Sequence, residues 1–162
     1  TLAFVKGSEQ WFHQDTAYVV VDSPLEMAAA WVALEDWRPG CGELRYFSGS
    51  HRLPETLFGG RHKAWSRNLH GQAAHDGWVA SLPLRARAAG CSLRVFRPKR
   101  GDVLIWHADL AHGGSPVTDP DATRLSLVGH YCPADRRPCF EGPAGPPRRH
   151  GAGYWLSESE HA

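Results

Sequence analysis

WFHQDTAYVV, residues 11–20, sits in a stretch that reads as a buried strand over residues 10–21, yet it carries a histidine and an aspartate two positions apart. Along a β-strand, residues i and i+2 share a face, so His13 and Asp15 project together while Gln14 points away. An aspartate facing a protein interior is costly unless it is paired or bound to a metal. Two readings fit: a His–Asp hydrogen bond at the mouth of a barrel, or half of a metal site. H-x-D is short enough to recur by chance, so the choice rests on the rest of the chain.

The following segments read as further short strands. MAAAWVALED (27–36) is apolar almost throughout and is bounded by Pro24 and Pro39-Gly40, which favours a strand over a helix. Ser23-Pro24 marks a turn before it, and RPGCGEL (38–44) another after it. ELRYFSGSH (43–51) is the next strand. CSLRVFRPKRGDVLIWHADLAHGG (91–114) gives two strands around Lys99-Arg100-Gly101-Asp102, and TRLSLVGHY (123–131) gives the last clear one. Between them, residues 52–89 lack a clean period and hold Pro54, Gly59-Gly60, Gly71 and Pro83. They read as a long rim with a short helix near 84–89. Many short strands, turn signals and little helix predict an all-β jelly roll, cupin-like in architecture, whose mouth suits a small-molecule site.

At 162 residues the chain reads as one domain, with a core over 10–131 and a Pro/Gly/Arg-rich tail over 133–162. A net charge of +1 gives no electrostatic case for nucleic acid or an anionic membrane surface, and no apolar run approaches the roughly 20 residues of a membrane-spanning helix. Cys41, Cys91, Cys132 and Cys139 fit no zinc spacing, and a chain of this length needs no staples, so they read as reduced thiols of a cytoplasmic protein. The basic residues Arg97, Lys99 and Arg100 read as a solvated turn.

A third ligand for a metal on His13 and Asp15 must come from elsewhere. His112 follows the strand 103–106 and is fixed by Gly113-Gly114, whereas His107 continues the strand and reads as supporting the ligands from behind or simply packed. Two imidazoles and one carboxylate on one face of an ion form the facial triad of non-haem Fe(II) oxygenases. Twelve residues beyond His112, Arg124 alternates with Ser126 and Val128 on one strand face. An arginine aimed into a pocket holds a carboxylate in planar, bidentate fashion, and Ser126 adds a hydroxyl. Its bland alternative is a structural pair with Asp121.

Taken in order, HQDTAY, AAWVALEDWRPGCGELRYFSGSH, KRGDVLIWHADLAHGG and TRLSLVGHY resemble the phytanoyl-CoA dioxygenase family of Fe(II)/2-oxoglutarate oxygenases, over about three quarters of the chain. The resemblance implies a double-stranded β-helix in which His13, Asp15 and His112 hold Fe(II). Arg124, with Ser126, would hold the distal carboxylate of 2-oxoglutarate. Trp31 matches a position close to this cosubstrate, with a core tryptophan as its bland reading, and Tyr18 would line the substrate side or simply pack. Gly49-Ser50-His51 resembles a family turn, with Ser48 where proline is usual and His51 shaping the turn. O₂ would be the oxidant and a small organic molecule the substrate. The retained carboxylate of Asp15 implies hydroxylation, since related halogenases replace it with a small residue. Family members carry a substantial N-terminal portion that is absent here, and residues 52–97 match nothing assignable in the family. The rivals are a cupin-like metalloprotein that makes no use of 2-oxoglutarate and a non-catalytic jelly-roll binding module.

Overall fold

β3 (Ala28–Ala33) shows how the sheet is written into the chain. Its inward residues Ala29, Trp31 and Ala33 are buried in strict alternation, the period-two pattern of a strand with one covered face. It is central, pairing antiparallel with β6 (Val103–His107) and with β8 (Ser126–Tyr131), while β8 pairs on its other side with β1 (Leu2–Phe4). The second sheet has β4 (Leu44–Ser48) between β5 (Ser92–Val95) and β7 (His112–Gly114), again antiparallel. Trp31, Trp106 and Val128 of the four-stranded sheet pack with Leu44 of the three-stranded one, so the core lies between two stacked sheets. The fold is an antiparallel jelly roll. The computed structural model describes residues 2–21, 26–136, 138–140 and 148–155; the expected Ser23-Pro24 turn lies outside them, as does much of the 133–162 tail. Short ladders join β2 (Val19–Val20) to β9 (Cys139–Phe140), and β10 (Arg148–His150) to β11 (Gly153–Trp155).

The turn at Lys99–Asp102 carries the chain from one sheet to the other. Asp102 accepts the Lys99 backbone N–H, and the Asp36 carboxylate accepts both the Lys99 ammonium and the Arg100 backbone N–H. This is the solvated turn expected of the basic cluster.

Two expectations need correction. Residues 10–21 are no single strand: His13 forms an isolated bridge, Asp15–Ala17 is one 3-10 turn, and only Val19–Val20 pairs as β2. The rim is mostly helical, with α1 running from Arg67 to Ala88 where only a short helix was expected near its end. Gly71, at φ 75°, breaks the helical path near its start, a conformation that glycine adopts at little cost. Trp78, Leu82 and Ala86 recur every four residues, forming a narrow buried stripe on a helix otherwise facing solvent. That stripe packs on Phe47, Phe58, Trp65 and Ala111 in a second core outside the sheet pair. Phe47 is fully buried, with its ring 4.9 Å from that of Phe12. Phe47→Ala is expected to cost about 3–5 kcal/mol, the usual range for a buried aromatic, read as a shift in the denaturant midpoint.

Candidate metal centre

His13 and His112 meet through their backbones first. The His13 N–H donates to the His112 carbonyl at 2.9 Å, and the His112 N–H returns a bond to the His13 carbonyl at 3.0 Å. The close approach needs the glycines after His112. A Cβ on Gly113 would fall 2.7 Å from the Gln10 carbonyl oxygen, and one on Gly114 would fall 2.9 Å from the Glu9 nitrogen.

The rings are then oriented the same way twice. His13 Nδ1 lies 2.8 Å from the Trp11 carbonyl oxygen and His112 Nδ1 lies 2.9 Å from that of Leu110. A carbonyl only accepts, so each Nδ1 carries a proton, and Nε2 is the ring atom each histidine can offer as a ligand. Asp15 Oδ1 lies 3.8 Å from His13 Nε2 and 3.5 Å from His112 Nε2. One ligand atom from each of the three buried residues falls within 4.8 Å of the others, an arrangement that could hold a divalent ion. The donor set, two imidazole nitrogens and a carboxylate oxygen, suits Fe(II).

The electrostatics agree with a site prepared for a cation. Burial, and then His112, pushes His13 down from the ordinary 6.5 to about 4. Burial alone would raise Asp15, but His112, His130 and His13 outweigh it and hold the carboxyl well below its usual range. Near neutral pH the site therefore has a neutral His13 and a charged Asp15. The unfolded chain takes up a proton on His13 as pH falls through 6.5, whereas the folded chain resists until about 4. The metal-free protein is thus expected to lose stability across that window, by at most about 3 kcal/mol. The depressed Asp15 adds its own loss only further down, once pH drops below the ordinary carboxylate range. Melting temperatures of metal-free wild type and His13→Phe measured from pH 7 to 4 test the point. Equal slopes would refute it.

The 3-10 turn that bears Asp15 is tied to the loop before His112 by residues the sequence did not single out. Gln14 Nε2 donates to the Asp109 carbonyl at 2.6 Å, and Thr16 Oγ1 donates to the Asp109 carboxylate at 2.5 Å. Lys63 of the rim meets the same carboxylate at 2.9 Å. Trp106 and His130 also reach Asp15: the indole N–H donates to Oδ2 at 2.9 Å, and His130 Nε2 lies 3.5 Å from that oxygen. Extending the alternation Arg124, Ser126, Val128 by one step would have found His130.

His107 stands outside the cluster, as expected, with Nδ1 accepting the Asp109 N–H and its ring 5.6 Å from that of His51. Ser50, in the glycine turn beside His51, accepts the Ala111 backbone N–H on its hydroxyl oxygen at 2.8 Å, so that turn braces the strand entering His112. Tyr18 packs edge-on to the His13 ring at 5.7 Å, with its hydroxyl 2.7 Å from His75 Nε2 on α1. Burial, and then Asp15, raises Tyr18 to about 12, so it stays a phenol.

Arg124 is 7% exposed, with Nη1 donating to the Gly42 carbonyl at 2.6 Å and Nη2 3.4 Å from Ser8 Oγ. Among the described residues no carboxylate lies within ion-pair distance of it, Asp121 included, and its buried Nε has no partner. Trp31, 5.9 Å from this guanidinium, joins it with Leu44 and Phe96 in lining a cleft. Ser126 is buried beside them, its hydroxyl 3.4 Å from the Arg124 carbonyl. Cys41, Cys91 and Cys132 are free thiols, and among the described residues no helix is long and apolar enough to cross a membrane.

A jelly roll with two buried histidines and an aspartate converging, and a buried arginine with no ion pair among the described residues, fits the non-haem metal oxygenase folds. The phytanoyl-CoA dioxygenase (PhyH) family matches residues 3–125, and the chain belongs to that family. Solved structures agree on the fold. The non-haem α-ketoglutarate-dependent carbocyclase SnoK from nogalamycin biosynthesis superposes with a TM-score of 0.60 at 23% identity, covering 82% of this chain and 48% of SnoK. The epimerase SnoN, solved with Fe3+, α-ketoglutarate and nogalamycin RO, gives 0.54 at 20% identity over 82% of this chain and 48% of its own. The apo non-haem monooxygenase ThoJ gives 0.54 at 21% over 96% and 54%. The chain thus spans about half the length of the solved structures it matches. No curated protein matches it significantly.

Proposed function

We propose that this chain is the catalytic jelly roll of an Fe(II)/2-oxoglutarate-dependent dioxygenase that hydroxylates an unactivated C–H bond of a small organic molecule. His13, Asp15 and His112 hold the iron, Arg124 with Ser126 and Trp31 receives the 2-oxoacid, and Tyr18 stands on the substrate side. The carrying observation is the pair of Nε2 atoms, each aimed by an Nδ1 bond to backbone, converging with Asp15 Oδ1. Bound iron, 2-oxoglutarate and O₂ supply the C–H oxidation, with loss of CO₂ and release of succinate.

The chain's own residues do the rest. Arg124 is desolvated without an anion, which lowers its guanidinium from the usual range, and its Nε–H awaits an acceptor. A carboxylate would answer both deficits. The carbonyl that Arg124 holds belongs to Gly42, four residues before Tyr46, the partner of His112 in the ladder. That is at most about 13 Å of chain, a span fit for a five-carbon dicarboxylate with one end on the metal. On the other side α1 closes over Tyr18. The Tyr18 hydroxyl is hydrogen-bonded to His75 Nε2 at 2.7 Å, and Trp65 and Trp78 pack around the imidazole at 4.6 and 5.8 Å. This wall fixes the phenol and excludes water from that flank of His13.

The test needs no substrate. Fe(II) and 2-oxoglutarate added under argon are expected to give a weak visible charge-transfer band, and admission of O₂ to give slow succinate formation. A folded protein with a flat spectrum and no succinate would refute the reading.

A further inference from the structure

We propose that Trp106 and His130 are positioning residues that make Asp15 a one-oxygen ligand and so keep a coordination position open; this rests on the metal reading above. Asp15 has two oxygens with different neighbours. Oδ1 faces the Nε2 atoms of His13 and His112. Oδ2 takes the Trp106 indole N–H at 2.9 Å and lies 3.5 Å from His130 Nε2.

Trp106 is the fixed half. An indole N–H can only donate, and this one is buried, so releasing Oδ2 leaves it unpaired. The ring cannot swing to another partner: it sits 4.8 Å from the His112 ring and packs in the core with Trp31, Leu110 and Val128. His130 is the adjustable half. It projects from the same face of β8 as Ser126 and Val128, at the rim, with its side chain 27% exposed. Together they oppose any rotation of the carboxylate that would bring both oxygens to the metal.

The count of positions gives this its consequence. Two imidazoles and one carboxylate oxygen leave three places on a six-coordinate ion, two for a chelating 2-oxoacid and one for O₂. A chelating Asp15 would remove one of them. Trp106→Phe keeps an aromatic ring in the core, though a smaller one, and offers Asp15 no N–H.

Co(II) is the probe, since its d–d bands report both affinity and coordination geometry. Metal-free wild type is titrated beside Trp106→Phe, His130→Phe and His130→Gln, and beside protein with β-(3-benzothienyl)alanine at 106, which keeps the ring volume and deletes only the N–H. Both Trp106 replacements are expected to weaken Co(II) binding about 10- to 100-fold and to change the band shape. His130→Phe is expected to have a smaller effect that His130→Gln, still a donor, reverses. Bands and affinities equal to wild type in the benzothienyl protein would overturn the inference, even if Trp106→Phe fails to fold. So would a lowered melting temperature with an unchanged Co(II) spectrum, which marks a packing role alone. Failure of wild type itself to bind Co(II) would overturn the metal reading and this inference with it.

Discussion

Asp15→Ala is expected to empty the site. The variant keeps both imidazoles but loses the anionic donor. Metal affinity should fall by well over about 100-fold, more than the loss typical of a residue that merely supports a ligand. No charge-transfer band should form with Fe(II) and 2-oxoglutarate, and succinate formation should fall to background. The apo-protein pays less dearly. Its indole at Trp106 loses an acceptor, worth about 1–3 kcal/mol, but a buried charge disappears as well. Metal content by elemental analysis, alongside a melting curve, separates loss of the site from loss of the fold. A folded Asp15→Ala protein that still binds stoichiometric iron would refute the assignment of this ligand.

Arg124→Met is expected to leave iron binding intact and to weaken the hold on 2-oxoglutarate. Truncating one member of a buried, hydrogen-bonded charge pair costs about 2–5 kcal/mol, or roughly 30-fold to a few thousand-fold in affinity. Arg124→Lys should fall between, since lysine keeps the charge but lacks the planar fork. The readout is the 2-oxoglutarate concentration that half-saturates the charge-transfer band, with Fe(II) affinity measured separately. Arg124 also holds the Gly42 carbonyl, so a general loosening would lower both affinities together. An unchanged half-saturation would show that the buried guanidinium serves the fold alone.

The three residues of the candidate metal site could be picked out in the sequence for a reason that is only partly geometric. Period two brings His13 and Asp15 to one side, yet no strand continues between them. The chain bends into a 3-10 turn after His13, and Asp109 fixes that bend through Gln14 and Thr16. Side-chain capture of this kind leaves no periodic trace. β3, β4, β6 and β8 were legible because inward and outward residues alternate or run apolar between clear turns. α1 was hidden because its buried stripe is only Trp78, Leu82 and Ala86, and Gly71, Gly77 and Pro83 all argue against a helix. Arg124 could be placed on its strand face, but its lack of an ion partner depends on what folds around it, which no spacing reveals.

The reciprocal backbone bonds between His13 and His112 would give a metal bound there a second role. These residues lie almost the length of the jelly roll apart in the chain, and they adjoin only when the second sheet has formed. In the unfolded chain His112 is remote from the His13–Asp15 pair, so an ion held by all three would bind the native state far more tightly. By mass action, metal at 100 times its dissociation constant adds about 2.7 kcal/mol to folding. For a domain of ordinary stability that is a sizeable fraction, and the amount of folded protein in a cell would then rise and fall with its supply of iron.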